Sequence, residues 1–210
     1  GVHAFVGGHG FTRHHGLVDA RLAAGDDAVG GNVVAGADAD ELSGLETVSF
    51  DLDLDAVARQ LGREPRGVLE IAYYCPNNEP AVVKTAPKLP DGTPFPTLYY
   101  LTHPALTAAA SRLESSGLMR DMTDRLTEDP ELAEAYRRAH ESYLAERDAI
   151  ESLGTMFSGG GMPDRVKCLH VVIAHSLAKG PGVNPFGDEA LAVLAVEPGM
   201  AGILERERWI

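Results

Sequence analysis

The feature that most restricts the fold is a change of hydrophobic period at Pro104. From Gly67 to Thr102 the apolar residues alternate or fall in short runs rich in Val, Ile and Tyr. After Pro104 they recur every three to four positions. Alternation suits a pleated strand, whose side chains point to opposite faces in turn, whereas a spacing of three to four suits one face of a helix. Strands that come first and helices that follow predict an α+β fold: a small antiparallel three-stranded sheet with about five to six helices packed on one face.

The strands are expected at Gly67–Cys75, Ala81–Thr85 and Thr97–Thr102, with a turn at Pro76-Asn77-Asn78 and a loop from Leu89 to Pro96 that turns at Asp91-Gly92. Ahead of them, Asp53 caps a short helix ending at Leu61. Pro104 suits a first helical position, with Leu106, Ala109, Ala110 and Leu113 as its stripe and Gly117 as its end. Leu118, Met119, Met122 and Leu126 continue on a second helix. Asp129-Pro130 starts a long helix to about Ile150, with Leu132, Tyr136, Ala139 and Tyr143 on one face. The glycine-rich loop Ser158–Gly161 leads to a helix starting at Met162-Pro163-Asp164, with Val166, Leu169, Ile173 and Leu177 on one face. Asn184-Pro185 reads as a turn, and Asp188 as the cap of a last helix through Leu191 and Leu194.

Residues 1–50 differ from the rest, with ten glycines and no proline or lysine. Such a composition buries too little apolar surface to offset the entropy of ordering, so 1–50 is expected to be a flexible extension. Residues 51–197 form the single α+β domain, and 198–210 a C-terminal tail.

The net charge of −13 disfavours nonspecific nucleic-acid binding, which needs clustered Lys and Arg. No run approaches the roughly 18 apolar residues of a membrane span, and no basic start precedes an apolar run as in a signal peptide. The two cysteines, Cys75 and Cys168, are too few for a disulfide framework. A cytoplasmic protein without nucleic-acid or membrane partners is the simplest expectation.

Several unusual strings carry a resemblance: Arg63-Glu64-Pro65-Arg66-Gly67, Cys75-Pro76, the run from Leu89 to Thr102, Gly160 to His170, and Gly182 to Asp188. Over Gly62–Ala195 the chain resembles the actinobacterial family known as domain of unknown function 501. The resemblance implies a bacterial cytoplasmic protein and no catalytic residues. It also implies that a second Cys often follows Cys75-Pro76, where this chain has Asn77, and that Cys often stands where this chain has His103. A Cys-to-His exchange suits a metal ligand, while Asn77 removes a donor.

Two constellations suggest chemistry. In the first, a glycine-rich loop before a helix N-terminus suits a phosphate or carboxylate, because free N–H groups and the helix dipole attract anions. Gly160, Arg165 and Lys167, with Lys84 facing them from the second strand, would bind a small anionic ligand. No G-K-[ST] ending follows, so nucleotide hydrolysis is not indicated. In the second, Cys75, His103, Cys168 and His170 are zinc-ligand types. Cys168 and His175 lie two helical turns apart, roughly 10 Å, too far for one ion. Cys168 and His170 share an ion only if the helix begins after Cys168. The competing structural readings are a small buried thiol at Cys168 and a helix cap at His103. A third reading is a non-enzymatic module that binds a protein partner through its helical layer. Neither composition nor motif assigns a reaction.

Overall fold

The structure, a computed structural model, describes residues 39–210. The expected extension lies outside the described residues as far as residue 38. Its remainder, Ala39 to Phe50, is part of α1 (Ala39–Leu61), so this helix begins well before the expected cap at Asp53. Three strands follow, β1 (Val68–Tyr74), β2 (Pro80–Thr85) and β3 (Tyr99–Leu101), in the antiparallel order β1-β2-β3. The helices α2 (Pro104–Ser115), α3 (Leu118–Glu128), α4 (Pro130–Ile150), α5 (Leu169–Lys179) and α6 (Pro185–Ala195) come next. A 3-10 turn at Pro198–Met200 and the short α7 (Arg206–Trp209) close the chain. The α+β class and the three-stranded antiparallel sheet agree with the sequence pattern.

Local chemistry accounts for most boundaries. The β1–β2 hairpin turns at Asn78, whose φ of 63° lies in the left-handed region that Asn tolerates. Asp129 caps α4 by accepting from the N–H groups of Glu131 and Leu132, both at 3.0 Å. At α6 the cap is Asn184, which accepts from Gly187 N–H at 3.1 Å and is followed by Pro185 at the first position. Asp188, the expected cap, lies inside the first turn and accepts from Gly182 N–H at 2.6 Å. Asn-Pro here starts a helix rather than forming a separate turn.

Helix α5 is the centre of the core. Leu169 and every residue from Val171 to Leu177 are buried, so the helix is covered all round and not only along the expected one-sided stripe. β3 and the other strands cover one side, α2 another and α6 a third. The second face of the sheet is covered at β2: Val82 and Val83 point to opposite faces and both are buried, and α1 packs on this strand. Gln60 on α1 donates to Pro80 C=O at 2.8 Å. The helices therefore do not all lie on one side. The expected C-terminal tail belongs to the core, where Met200, Leu204 and Trp209 are buried. These three residues follow no regular period, so no sequence pattern marked them.

Two features of the core yield predictions. A Cβ on Gly187 would lie 2.2 Å from Val172 C=O oxygen and 2.4 Å from Ser176 Oγ, so α6 approaches α5 as only glycine allows. Gly187→Ala should lower stability by about 3 kcal/mol or prevent folding, as measured by denaturant titration. His175 is fully buried, stacked on Tyr99 and edge-on to Tyr143, with Nδ1 3.3 Å from Asn184 Nδ2. Burial holds its pKa down at about 4, against an ordinary value of 6.5. The unfolded chain then binds a proton that the folded one refuses, so stability is full above pH 6.5 and falls as pH drops toward 4. The loss reaches about 3 kcal/mol. His140, also lowered chiefly by burial, adds to the same slope. Urea midpoints between pH 7 and 4 should show this loss, and His175→Phe should flatten it.

Candidate functional site

The first turn of α5 has three free N–H groups to satisfy and a positive dipole end. Glu114, near the end of α2, meets this need. Its Oε1 accepts from Leu169 N–H at 2.7 Å and lies 3.0 Å from His170 Nδ1. Cys168 precedes the helix in an extended conformation (φ −150°, ψ 115°). The sequence condition for a shared ion is therefore met: α5 begins after Cys168, so the thiol is not forced onto the face opposite His170. One donor atom each from Glu114, Cys168 and His170 lies within 4.8 Å of the other two, and all three residues are half-buried. His170 Nε2 is 3.4 Å from Ser111 Oγ. The imidazole pKa rises to about 9, first through its hydrogen bond with Cys168 and then through Glu114, with burial opposing.

Cys168 and His170 open onto a cleft of about 430 Å³. Its opposite wall is β3, and Thr107 and Gly159 complete it. Glu114 fixes the imidazole ring through Nδ1, which leaves Nε2 toward Ser111.

The remaining predicted residues lie elsewhere. Lys84 bonds Glu146 at 2.9 Å and approaches Glu70 at 3.4 Å. Glu146 also takes Lys179 at 3.0 Å and the Tyr99 hydroxyl at 2.6 Å, and these bonds hold its carboxyl down at about 2 against the opposing effect of burial. Lys179 is the last residue of α5, so Lys84 sits at the opposite end of that helix from Cys168. Arg165 and Lys167 are exposed, and they precede the helix rather than riding its first turn. Lys167 N–H bonds back to Gly160 C=O at 2.8 Å, and Val166 N–H donates to Thr123 Oγ1 at 3.0 Å, so residues 160–167 are a closed turn. Gly161 has φ +83°, and a Cβ there would meet Lys167 Cβ at 2.5 Å. The structure thus does not assemble Lys84, Gly160, Arg165 and Lys167 around one anion, and the helix end they would have used holds a carboxylate.

The four expected zinc ligands also divide. Cys75 is buried at the end of β1, where its N–H donates to Glu79 C=O at 2.9 Å; burial, then Glu79, pushes its thiol up to about 12. His103 occupies the N-cap position of α2 but makes no cap bond; its Nε2 lies 3.1 Å from Glu79 Oε2. Cys75 and His103 thus gather near Glu79 and do not join Cys168 and His170. The residue missed in the sequence is Glu114. Its partner lies 55 positions away, and no local pattern marks such a contact.

A family model described as "Protein of unknown function (DUF501)" matches residues 71–192, a span that contains Glu114, Cys168, His170 and β3. Searches of curated proteins and of solved structures return no match.

The two thiols differ enough to be told apart. Cys168 borders the cleft, whereas Cys75 is only 2% exposed. Titration of the native protein with a chromogenic disulfide should release one equivalent of thiol rapidly, and a second only after denaturation. Cys168→Ser should abolish the rapid phase, and Cys75→Ser should leave it intact. Two rapid equivalents would place Cys75 outside the core.

Proposed function

The chain belongs to the DUF501 family of proteins of unknown function, and we propose that this member holds a zinc-class divalent metal ion on Glu114, Cys168 and His170. The observation that carries the reading is the convergence of a thiol, an imidazole and a carboxylate within 4.8 Å. Tetrahedral ligands around zinc stand roughly 3.4 Å apart, so small side-chain rotations bring these three to one ion. His170 Nδ1 and Glu114 Oε1, at 3.0 Å, can ligate together once the proton between them leaves. Three protein ligands leave a fourth position, as in sites where metal meets water or substrate rather than closed structural sites. Cys168 and His170 line the cleft beside β3, which supports a role in binding or transforming a ligand there.

Among the described residues no helix is long and apolar enough to cross a membrane. Both cysteines are free thiols, which suits a reducing compartment, and we place the protein in the cytoplasm on that ground.

Elemental analysis of protein purified without chelators should find close to one zinc-class ion per chain. Glu114→Gln, Cys168→Ser and His170→Gln should each weaken binding by 10-fold or more. Cobalt loaded in place of zinc should give a thiolate charge-transfer band that disappears in Cys168→Ser. Because His170 is protonated below about pH 9, metal displaces a proton, and affinity should fall as pH falls from 9 to 6. Protein that neither carries nor takes up metal, or a wild-type affinity in all three variants, would exclude the site.

A further inference from the structure

The two ring nitrogens of His170 meet two different side chains, and one helix supplies both. Nδ1 lies 3.0 Å from Glu114 Oε1, and Nε2 lies 3.4 Å from Ser111 Oγ. Ser111 and Glu114 are three positions apart on α2, so they share the face that meets the first turn of α5. The metal site uses Nδ1 and Glu114. It leaves the pair of Nε2 and Ser111 without a role.

The direction of that contact follows from the serine. A hydroxyl has one proton, and the Ser111 proton goes to Thr107 C=O at 2.9 Å, one turn back along α2. What the oxygen offers His170 is then a lone pair. A lone pair facing Nε2 is matched only by a proton on Nε2. Ser111 is thus placed as an acceptor, and its own proton is not shared with the imidazole as a serine nucleophile would need. At 3.4 Å the contact is looser than a full N–H···O bond in the metal-free chain.

The proton on Nε2 matters because a neutral imidazole carries only one, and a metal ion takes the bare nitrogen. Left to itself, the Glu114 carboxylate draws the single proton to Nδ1, the nitrogen the ion needs. An acceptor at Nε2 opposes that pull and frees Nδ1. Acceptors behind a metal-bound histidine fix its tautomer and ring orientation in this way.

We infer that Ser111 is a positioning residue of the metal site: its Oγ accepts the Nε2 proton of His170 and so makes Nδ1 the nitrogen that ligates the ion. The inference rests on the reading of Glu114, Cys168 and His170 as metal ligands, and Ser111 itself touches no metal.

The test uses the full chain, with zinc alone as the probe. Ser111 is exposed and outside the core, so its replacement spares the fold. Ser111→Ala should bind zinc about 10-fold more weakly than wild type. Ser111→Thr, which keeps the hydroxyl, should restore the affinity. Two-bond proton–nitrogen spectra of zinc-loaded, nitrogen-15-labelled protein, with His170 assigned by the resonances missing in His170→Gln, should place its proton on Nε2. That proton should exchange with water more slowly in wild type and Ser111→Thr than in Ser111→Ala. Urea midpoints of the metal-free variants should equal that of wild type. A proton on Nδ1 in the zinc-loaded protein, or unchanged zinc affinity in Ser111→Ala, would overturn the role of Ser111 and leave the metal site standing. A fall in urea midpoint that matches the loss of affinity would make Ser111 structural and overturn it equally. Wild-type protein that takes no zinc would remove the metal site and this role together.

Discussion

A helix whose middle two turns carry apolar residues on every side must be covered there on every side, and α5 imposes that requirement on the rest of the domain. From Val171 to Leu177 its side chains are buried, so sheet, α2 and α6 each have to supply a wall. The walls are close. Gly187 brings α6 against Val172 C=O oxygen at a distance no other residue permits, and Ala109 and Ala110 on α2 are fully buried small residues. The polar groups carried into this centre are bonded locally, except His175 Nε2, which has no partner among the described residues. His175 meets Asn184, and the Ser176 hydroxyl donates to Asn184 C=O at 3.1 Å, so the residue that caps α6 also serves two side chains of α5.

A buried helix also has ends, and opposite charge chemistry resolves them. At the C-terminal end Glu146 collects Lys179, Lys84 and the Tyr99 hydroxyl, which ties α5, β2 and β3 to α4. At the N-terminal end Glu114 accepts from the first turn and ties α5 to α2. The chain that approaches this end is itself pinned. Arg147, fully buried on α4, donates to Phe157 C=O and Thr155 C=O, each at 2.7 Å, and to Asp148 at 2.8 Å. A buried guanidinium is tolerated only when its donors are satisfied, and here two carbonyls and a carboxylate do so. That arrangement fixes where the chain leaves α4 on its way to Gly160 and Cys168.

The fold was legible where local chemistry decides it. Alternation located three strands, Asp129-Pro130 located α4, and Pro104 located α2, because caps and periods act over a few residues. Two of the misread boundaries lie on either side of α5. Met162 and Val166 are buried and four positions apart, which mimics a helical stripe, but a hydrogen bond from Lys167 N–H to Gly160 C=O closes that segment as a turn. Asn184-Pro185 has the residues of a turn and equally those of a helix start; the neighbouring α5 selects the second. Two of the three residues of the candidate site were legible as well. Cys168 and His170 were named with the condition that makes them partners, whereas Cys75 and His103 were named on residue type and lie by Glu79 instead.

Glu114 changes what the site can recognise. A glycine-rich loop before a helix suggests an anion because the helix end is taken to be empty and positive. With a carboxylate already bonded to Leu169 N–H, the added negative charge offsets the dipole and repels a second anion. Cys168 and the same carboxylate together keep a proton on His170, and a proton held by an imidazole between a sulfur and a carboxylate marks a place where a cation is favoured. The Lys and Arg residues that suggested an anion are exposed or engaged at the far end of α5. Reversal of the local charge by one side chain is therefore the reason the same stretch of sequence, read with its neighbour in place, favours a cation over a phosphate at the helix end.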